Sequence, residues 1–252
     1  MRVFLCLAGT FMFAAGMVQA SDDKDSAAKG DPRAAALMHE AMKTRYSWSP
    51  EITAVTGKVS WELNGQAGTA NFRDQLHQRN GLTFTPDNSA QVPTEVKEHV
   101  GSMISHRSPP NPKSAKRAPA PQVIVVEDDE RGPLIMTVGD PMQSTQRVKD
   151  RKLVQVNRTM GGQRFTIDVS DFEESPDGRF FASTWTVTYW DAASGKRVEK
   201  QTHTTQGFQS VDGQMFPKAE KLVTEKDGKT TTLDLRYSDV KFESGRPQPE
   251  TK

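Results

Sequence analysis

The chain is predicted to be mainly β (α+β), with one long curved antiparallel sheet, or half-barrel, packed on one or two amphipathic helices. Three observations predict it. Runs that alternate apolar with polar residues dominate from Ile52 onward. The separators between them are short turn formers: Asn64-Gly65, Gly161-Gly162, "SPDGR", "DAASGK", "SVDGQ" and "KDGK". Such spacers leave no room for helical crossovers, so neighbouring strands pair antiparallel. Only two stretches carry helical periodicity.

In chain order, residues 1–20 read as an export signal. Arg2 is the positive lead, Val3 to Val18 the apolar stretch, and Val18-Gln19-Ala20 a small-x-small cleavage pattern. At about sixteen residues the stretch falls short of the ~20 needed to span a bilayer. The mature protein is therefore expected to be exported, periplasmic or extracellular, and not membrane-spanning after signal cleavage. Cys6 leaves with the signal, which excludes disulfides, thiolate nucleophiles and cysteine metal sites. Residues 21–30 read as a flexible lead-in, 31–247 as a single β-rich domain, and 248–252 as a disordered tail.

The first helix is announced by Asp31 as N-cap and Pro32 in the first turn. Ala34, Leu37, Met38, Ala41, Met42 and Arg45 recur at the spacing of one helical face, and Pro50 closes the element. Val55, Gly57, Val59, Trp61 and Leu63 then alternate with polar partners up to Asn64-Gly65, a two-residue hairpin signal. "TEVKEHVGSMISHR" is the second helix, with Val96, Val100, Met103 and Ile104 on one stripe. The Pro-rich insert 108–122 forbids both helix and ladder. Beyond it the chain is almost wholly strand: "VIVV", "LIMTV", "LVQVN", "RFTIDV", "FASTWTVTYW", "KRVEKQTHT", "KAEKLVTE" and "TTLDLRYSDVKF". "RVEKQTHTTQ", polar on both faces, reads as an edge strand.

Composition narrows the function. A formal charge of +1 argues against nucleic-acid binding. Gly161-Gly162 lies between two strand runs and so makes a hairpin; a phosphate cradle needs a helix after its glycines. Gly228-Lys229-Thr230 lacks the earlier glycine of a nucleotide loop, and Val223 stands in its place. "EDDERG" lacks the ligand ladder of a calcium loop and reads as a charged turn. No two of His39, His77, His99, His106 and His203 have zinc spacing. His99 and His106 lie about 10.5 Å apart along their helix and read as partly exposed boundary residues. No nucleophile elbow is present. The chain is thus read as non-enzymatic, with no cofactor and no metal.

At "YSWSPEI", "SMISHR", "VNRTMGGQRFTIDV", "TVTYWDAASGK" and "FPKAEKL" the chain resembles an uncharacterised domain-of-unknown-function family of exported or membrane-associated bacterial proteins, seen in planctomycetes and cyanobacteria. The likeness runs from about Leu37 to Tyr237, with the insert as extra length. More loosely, Pro217, Asp227-Gly228, Leu235, Tyr237 to Val240 and Phe242 resemble the closing pattern of LolA/LolB-type lipoprotein carriers. That resemblance implies a LolA-like half-barrel capped by helices that holds acyl chains. No residue role is implied.

Aromatic and apolar rows remain. Phe181, Trp185, Val187 and Tyr189 share one face of their strand, as do Leu233, Leu235 and Tyr237, with Trp61, Val59, Phe165 and Ile167 beside them. Two helices are short cover for so many strands. The expected function is therefore binding of a lipid, an acyl chain or another apolar ligand in the cell envelope. The expected contacts are Trp61, Phe165, Trp185, Tyr189, Leu235 and Tyr237. The alternative is an envelope interaction module with a fully packed core and a protein partner.

Overall fold

A computed structural model describes residues 30–87, 91–111 and 121–245. The expected signal and tail, most of the expected lead-in and the middle of the Pro-rich insert lie outside the described residues. Helix α1 (Pro32–Thr44) begins as expected, its N-cap Asp31 carboxylate accepting from the Arg33 amide at 2.8 Å. It stops well before Pro50 because Arg45 turns extended and Tyr46 N–H donates to the Phe180 carbonyl. Helix α2 spans Thr94–Arg107.

Fourteen strands follow the chain order around these helices. They are β1 (Ile52–Leu63), β2 (Gln66–Gln75), β3 (Leu82–Pro86), β4 (Val123–Glu127), β5 (Leu134–Thr137), β6 (Thr145–Lys149) and β7 (Lys152–Met160). Then come β8 (Gln163–Glu174), β9 (Phe180–Asp191), β10 (Arg197–Thr205), β11 (Phe208–Val211), β12 (Gln214–Pro217), β13 (Ala219–Lys226) and β14 (Lys229–Ser244). Twelve form one curved open antiparallel sheet in the order β3-β2-β1-β14-β13-β10-β9-β8-β7-β6-β5-β4, and β11 and β12 form a separate hairpin.

The expected architecture holds. Gly161 and Gly162, at φ 59° and 81°, make the two-residue turn between β7 and β8, where Met160 pairs with Gln163. One expectation fails: β10 is no edge strand. It pairs with β9 on one side and β13 on the other, and the free edges belong to β3 and β4. Its inner polar side chains are accommodated in the interior by one another and by ring stacking: Gln201 Nε2 donates to Glu199 Oε1, and His203 stacks on His99 and Trp185.

Both helices pack on one face of the sheet, called the inner face below. A ladder of paired positions runs across it through Val125, Ile135, Gln146, Val156, Ile167, Val187 and Gln201. At one end, α1 lays Ala34 and Ala41 against Val123, Ile135 and Val148. Met42, expected on that stripe, is instead 44% exposed. At the other end, α2 covers β1, β2 and β14 with Val96, Val100, Met103 and Ile104. The β11–β12 hairpin joins it there, seating Phe216 among Trp48, Phe72, Tyr237 and Phe242. Residues 45–49 clasp this end together. Trp48 N–H donates to the Arg107 carbonyl, its indole N–H to the Met215 carbonyl, and Tyr46 Oη accepts from the Met215 amide.

The threonines Thr184, Thr186 and Thr188 face outward, paired with Thr204, Thr202 and Lys200. The expected charged turn "EDDERG" lies between β4 and β5. Its Glu127 and Asp129 are taken up by Arg131 and the buried Arg147. Among the described residues no helix is long and apolar enough to cross a membrane.

Candidate functional site

Between the footprints of α1 and α2, the inner face divides into a polar track and an apolar strip. The track is the inner side of β10, with Glu199, Gln201, His203 and Thr205, and its neighbour Glu220 on β13. Glu220 falls where alternation demands an inward residue, beside Leu222, and is buried. Its Oε2 accepts from Tyr237 Oη at 2.7 Å and from His99 Nε2 on α2 at 3.1 Å. Arg107, also buried, approaches Oε1 only to 3.8 Å and donates through Nη1 to the Met103 carbonyl.

Burial alone would raise the Glu220 carboxyl, but the His99, Arg107 and Tyr237 partners outweigh it and bring it down to about 2. Tyr237 is driven the other way, first by burial and then by the adjacent carboxylate. The His99 ring stacks on His203 at 5.5 Å, and His203 on Trp185 at 4.7 Å, so three parallel rings step from helix to sheet. Burial, helped by His99, lowers His203 to about 3 and keeps it neutral. The boundary reading of His99 is corrected here: it is buried because it has a buried carboxylate to bond.

The apolar strip adjoins this track on β8 and β9. Val187 and Phe165 are buried, while Trp185, Tyr189, Ile167 and Val169 are half-buried. Phe165 and Tyr189 meet with ring centroids 5.9 Å apart. Burial, with Glu199 nearby, pushes the Tyr189 hydroxyl up to about 12.

The six expected contacts therefore fall into two groups. Phe165, Trp185 and Tyr189 come together on the strip. Trp61, Leu235 and Tyr237 lie under α2 and the hairpin, and protein atoms cover them. The Trp61 indole lies over Gly68, where a Cβ would come within 2.7 Å of Cε2, so the bare glycine is its seat. The recess of about 290 Å³ beside α1, lined by Arg33, Ala36, Leu37, Glu40, Val148 and Arg151, is at the small end for ligand pockets and lies apart from the strip. Among the described residues no group of three or more His, Cys, Asp or Glu is placed to hold a metal ion.

Sequence reasoning missed the polar track and the plug made by Trp48 and Phe216. Two signals were present: an ionisable residue at the inward position of "KAEKLV", and the Asp212-Gly213 hairpin turn within "FQSVDGQMF".

The fold and site thus define a class: an open antiparallel half-barrel with helices on its inner face and a divided floor between them. Residues 29–242 match the family described as "Protein of unknown function (DUF3386)", and the chain belongs to that family. No curated protein matches it. Among solved structures, it is similar to a LolA superfamily protein from Nitrosomonas europaea. That likeness has 11% identity, covers 84% of this chain and 94% of that one, and has a TM-score of 0.33. It is also similar to a DUF1329 family protein from Desulfovibrio piger, with 9% identity, 86% and 95% coverage and a TM-score of 0.30.

Proposed function

We propose that the protein is an exported binder of an apolar or amphipathic molecule, such as a lipid or acyl chain, held along the inner faces of β8 and β9. The observation that carries this reading is the position of Trp185, Tyr189 and Ile167. They are half-buried on the inner face between the α1 and α2 packing zones, with the buried Phe165 and Val187 beside them. Two aromatic rings and a branched aliphatic in one row supply a surface that gains from covering by hydrocarbon. The α2 half of the sheet supplies no such surface, because the hairpin and Trp48 fill it.

The test has two parts. Protein purified from its native host is extracted for lipid mass spectrometry, and the purified full chain is titrated with the neutral apolar probe N-phenyl-1-naphthylamine. Bound lipid and saturable probe fluorescence, weakened roughly tenfold by Trp185→Ala, are expected. A protein that carries no lipid and leaves the probe dark defeats the reading. With β10 in the interior of the sheet, pairing with an envelope protein would fall to the edge strands β3 or β4. β4 carries Val126, which is 45% exposed.

A further inference from the structure

Beside the strip, in addition to His203 Nδ1 in the ring stack, four buried side chains carry polar atoms that have no hydrogen-bond partner: Ser183 Oγ, Thr205 Oγ1, Glu220 Oε1 and Arg107 Nε. Their residues are 3%, 5%, 2% and 6% exposed. They are neighbours. Thr205 pairs with Glu220 across β10 and β13, and Ser183 and Thr205 are the next residues along their strands from the pair Thr184–Thr204. Arg107 reaches Glu220 from α2 and lies over the Phe208 ring at 5.8 Å. Folded proteins leave only a few such groups unmade, and four together on one patch require an explanation.

We propose that Ser183, Thr205, Glu220 and Arg107 form a polar subsite that takes an uncharged head group able to both donate and accept hydrogen bonds, a hydroxyl above all. This deepens the reading above and rests on it: the ligand's hydrocarbon lies on β8 and β9, and its head turns into the track. The chemistry selects the head. Glu220 Oε1 accepts only, so it needs a donor; Arg107 Nε–H donates only, so it needs an acceptor; the two hydroxyls do either. An anionic head meets the Glu220 carboxylate, and a cationic head meets the Arg107 guanidinium. A neutral hydroxyl satisfies both without adding charge to a buried pair.

Displacement of N-phenyl-1-naphthylamine by 1-decanol, decanoate and decylamine, all with the same chain length, tests this on the full-length protein. Decanol is expected to compete about tenfold more strongly than either charged compound. The isosteric Thr205→Val, combined with Ser183→Ala, should shrink that preference to roughly twofold while leaving decanoate unchanged. A thermal melt and far-ultraviolet circular dichroism confirm that the variant is folded, and Ser183→Ala alone gives the same readout in a milder change. If the probe binds but the three compounds displace it equally, the subsite is wrong and the apolar reading stands. If the probe does not bind at all, both fall together.

Discussion

The two ends of the inner face solve the same covering problem with opposite materials. At the α1 end, Ala34 and Ala41 bring the helix axis close to the sheet, and Val123, Ile135 and Val148 complete a core of five buried side chains among the described residues. At the α2 end twenty buried side chains form one cluster, four of them Trp48, Trp61, Phe72 and Phe216. The helix there covers only part of the sheet, and a hairpin and an extended clasp supply the rest. Cover in this fold is therefore not a matter of helices alone. What remains between the ends is the divided floor, where the proposed ligand lies.

Substitutions can break or sharpen this contrast. The largest effect is expected for Trp48→Ala, which removes a ring packed on Phe216 and Phe242 and leaves the Met215 carbonyl unbonded. Urea unfolding should show a loss of about 3–5 kcal/mol. A loss near that of a surface change would mean that the hairpin does not plug the α2 end. Next, Glu220→Gln keeps the shape but removes the charge that faces Arg107 and His99, at about 2–3 kcal/mol. Ala34→Leu tests the close approach of α1 and should destabilise by about 1–3 kcal/mol through overpacking. A neutral or stabilising result there would show spare room under α1.

A pH titration of stability reads the floor between the ends. The His203 pKa is about 3 when folded and 6.5 when free, so the unfolded chain binds an extra proton throughout that interval. The His203 contribution to stability should therefore fall as pH drops from 6.5 toward 3, by up to about 1.4 kcal/mol per pH unit. His106, also lowered to about 3, first by desolvation, adds to the slope. Glu220, lowered from 4.5 to about 2, steepens the fall below pH 4.5. His203→Phe should keep the ring stack and flatten the upper part of the slope, and an unchanged slope would locate the proton elsewhere. The smallest effect on stability is expected for Trp185→Ala, about 1 kcal/mol from the lost stack. Probe uptake should fall in the same variant.

Alternation and turn chemistry made most of the strands legible, because period two and two-residue turns are local properties. The N-cap pair Asp31-Pro32 likewise announced α1. β6, β11 and β12 escaped because, unlike the equally short β4 and β5, they hold no run of three consecutive apolar residues. The site was half legible. Phe165, Trp185 and Tyr189 could be placed on one face by parity, but parity does not say which apolar rows the protein will cover with its own parts. Whether Trp61 meets a ligand or is buried in the protein's own core depends on a clasp whose bonds to Met215 join residues 167 and 169 positions apart. The Glu220–His99 bond spans 121 positions and is equally invisible to any local window.

Strand β1 lies deep in the sheet, yet its partner on one side is β14, with Ile52 matched to Ser244. The two strands furthest apart in the chain thus form an interior seam. Until β14 pairs, β1 has an unzipped flank of free backbone N–H and C=O groups. A chain cut short before residue 229 would present that flank, along with that of β13, to any sticky neighbour.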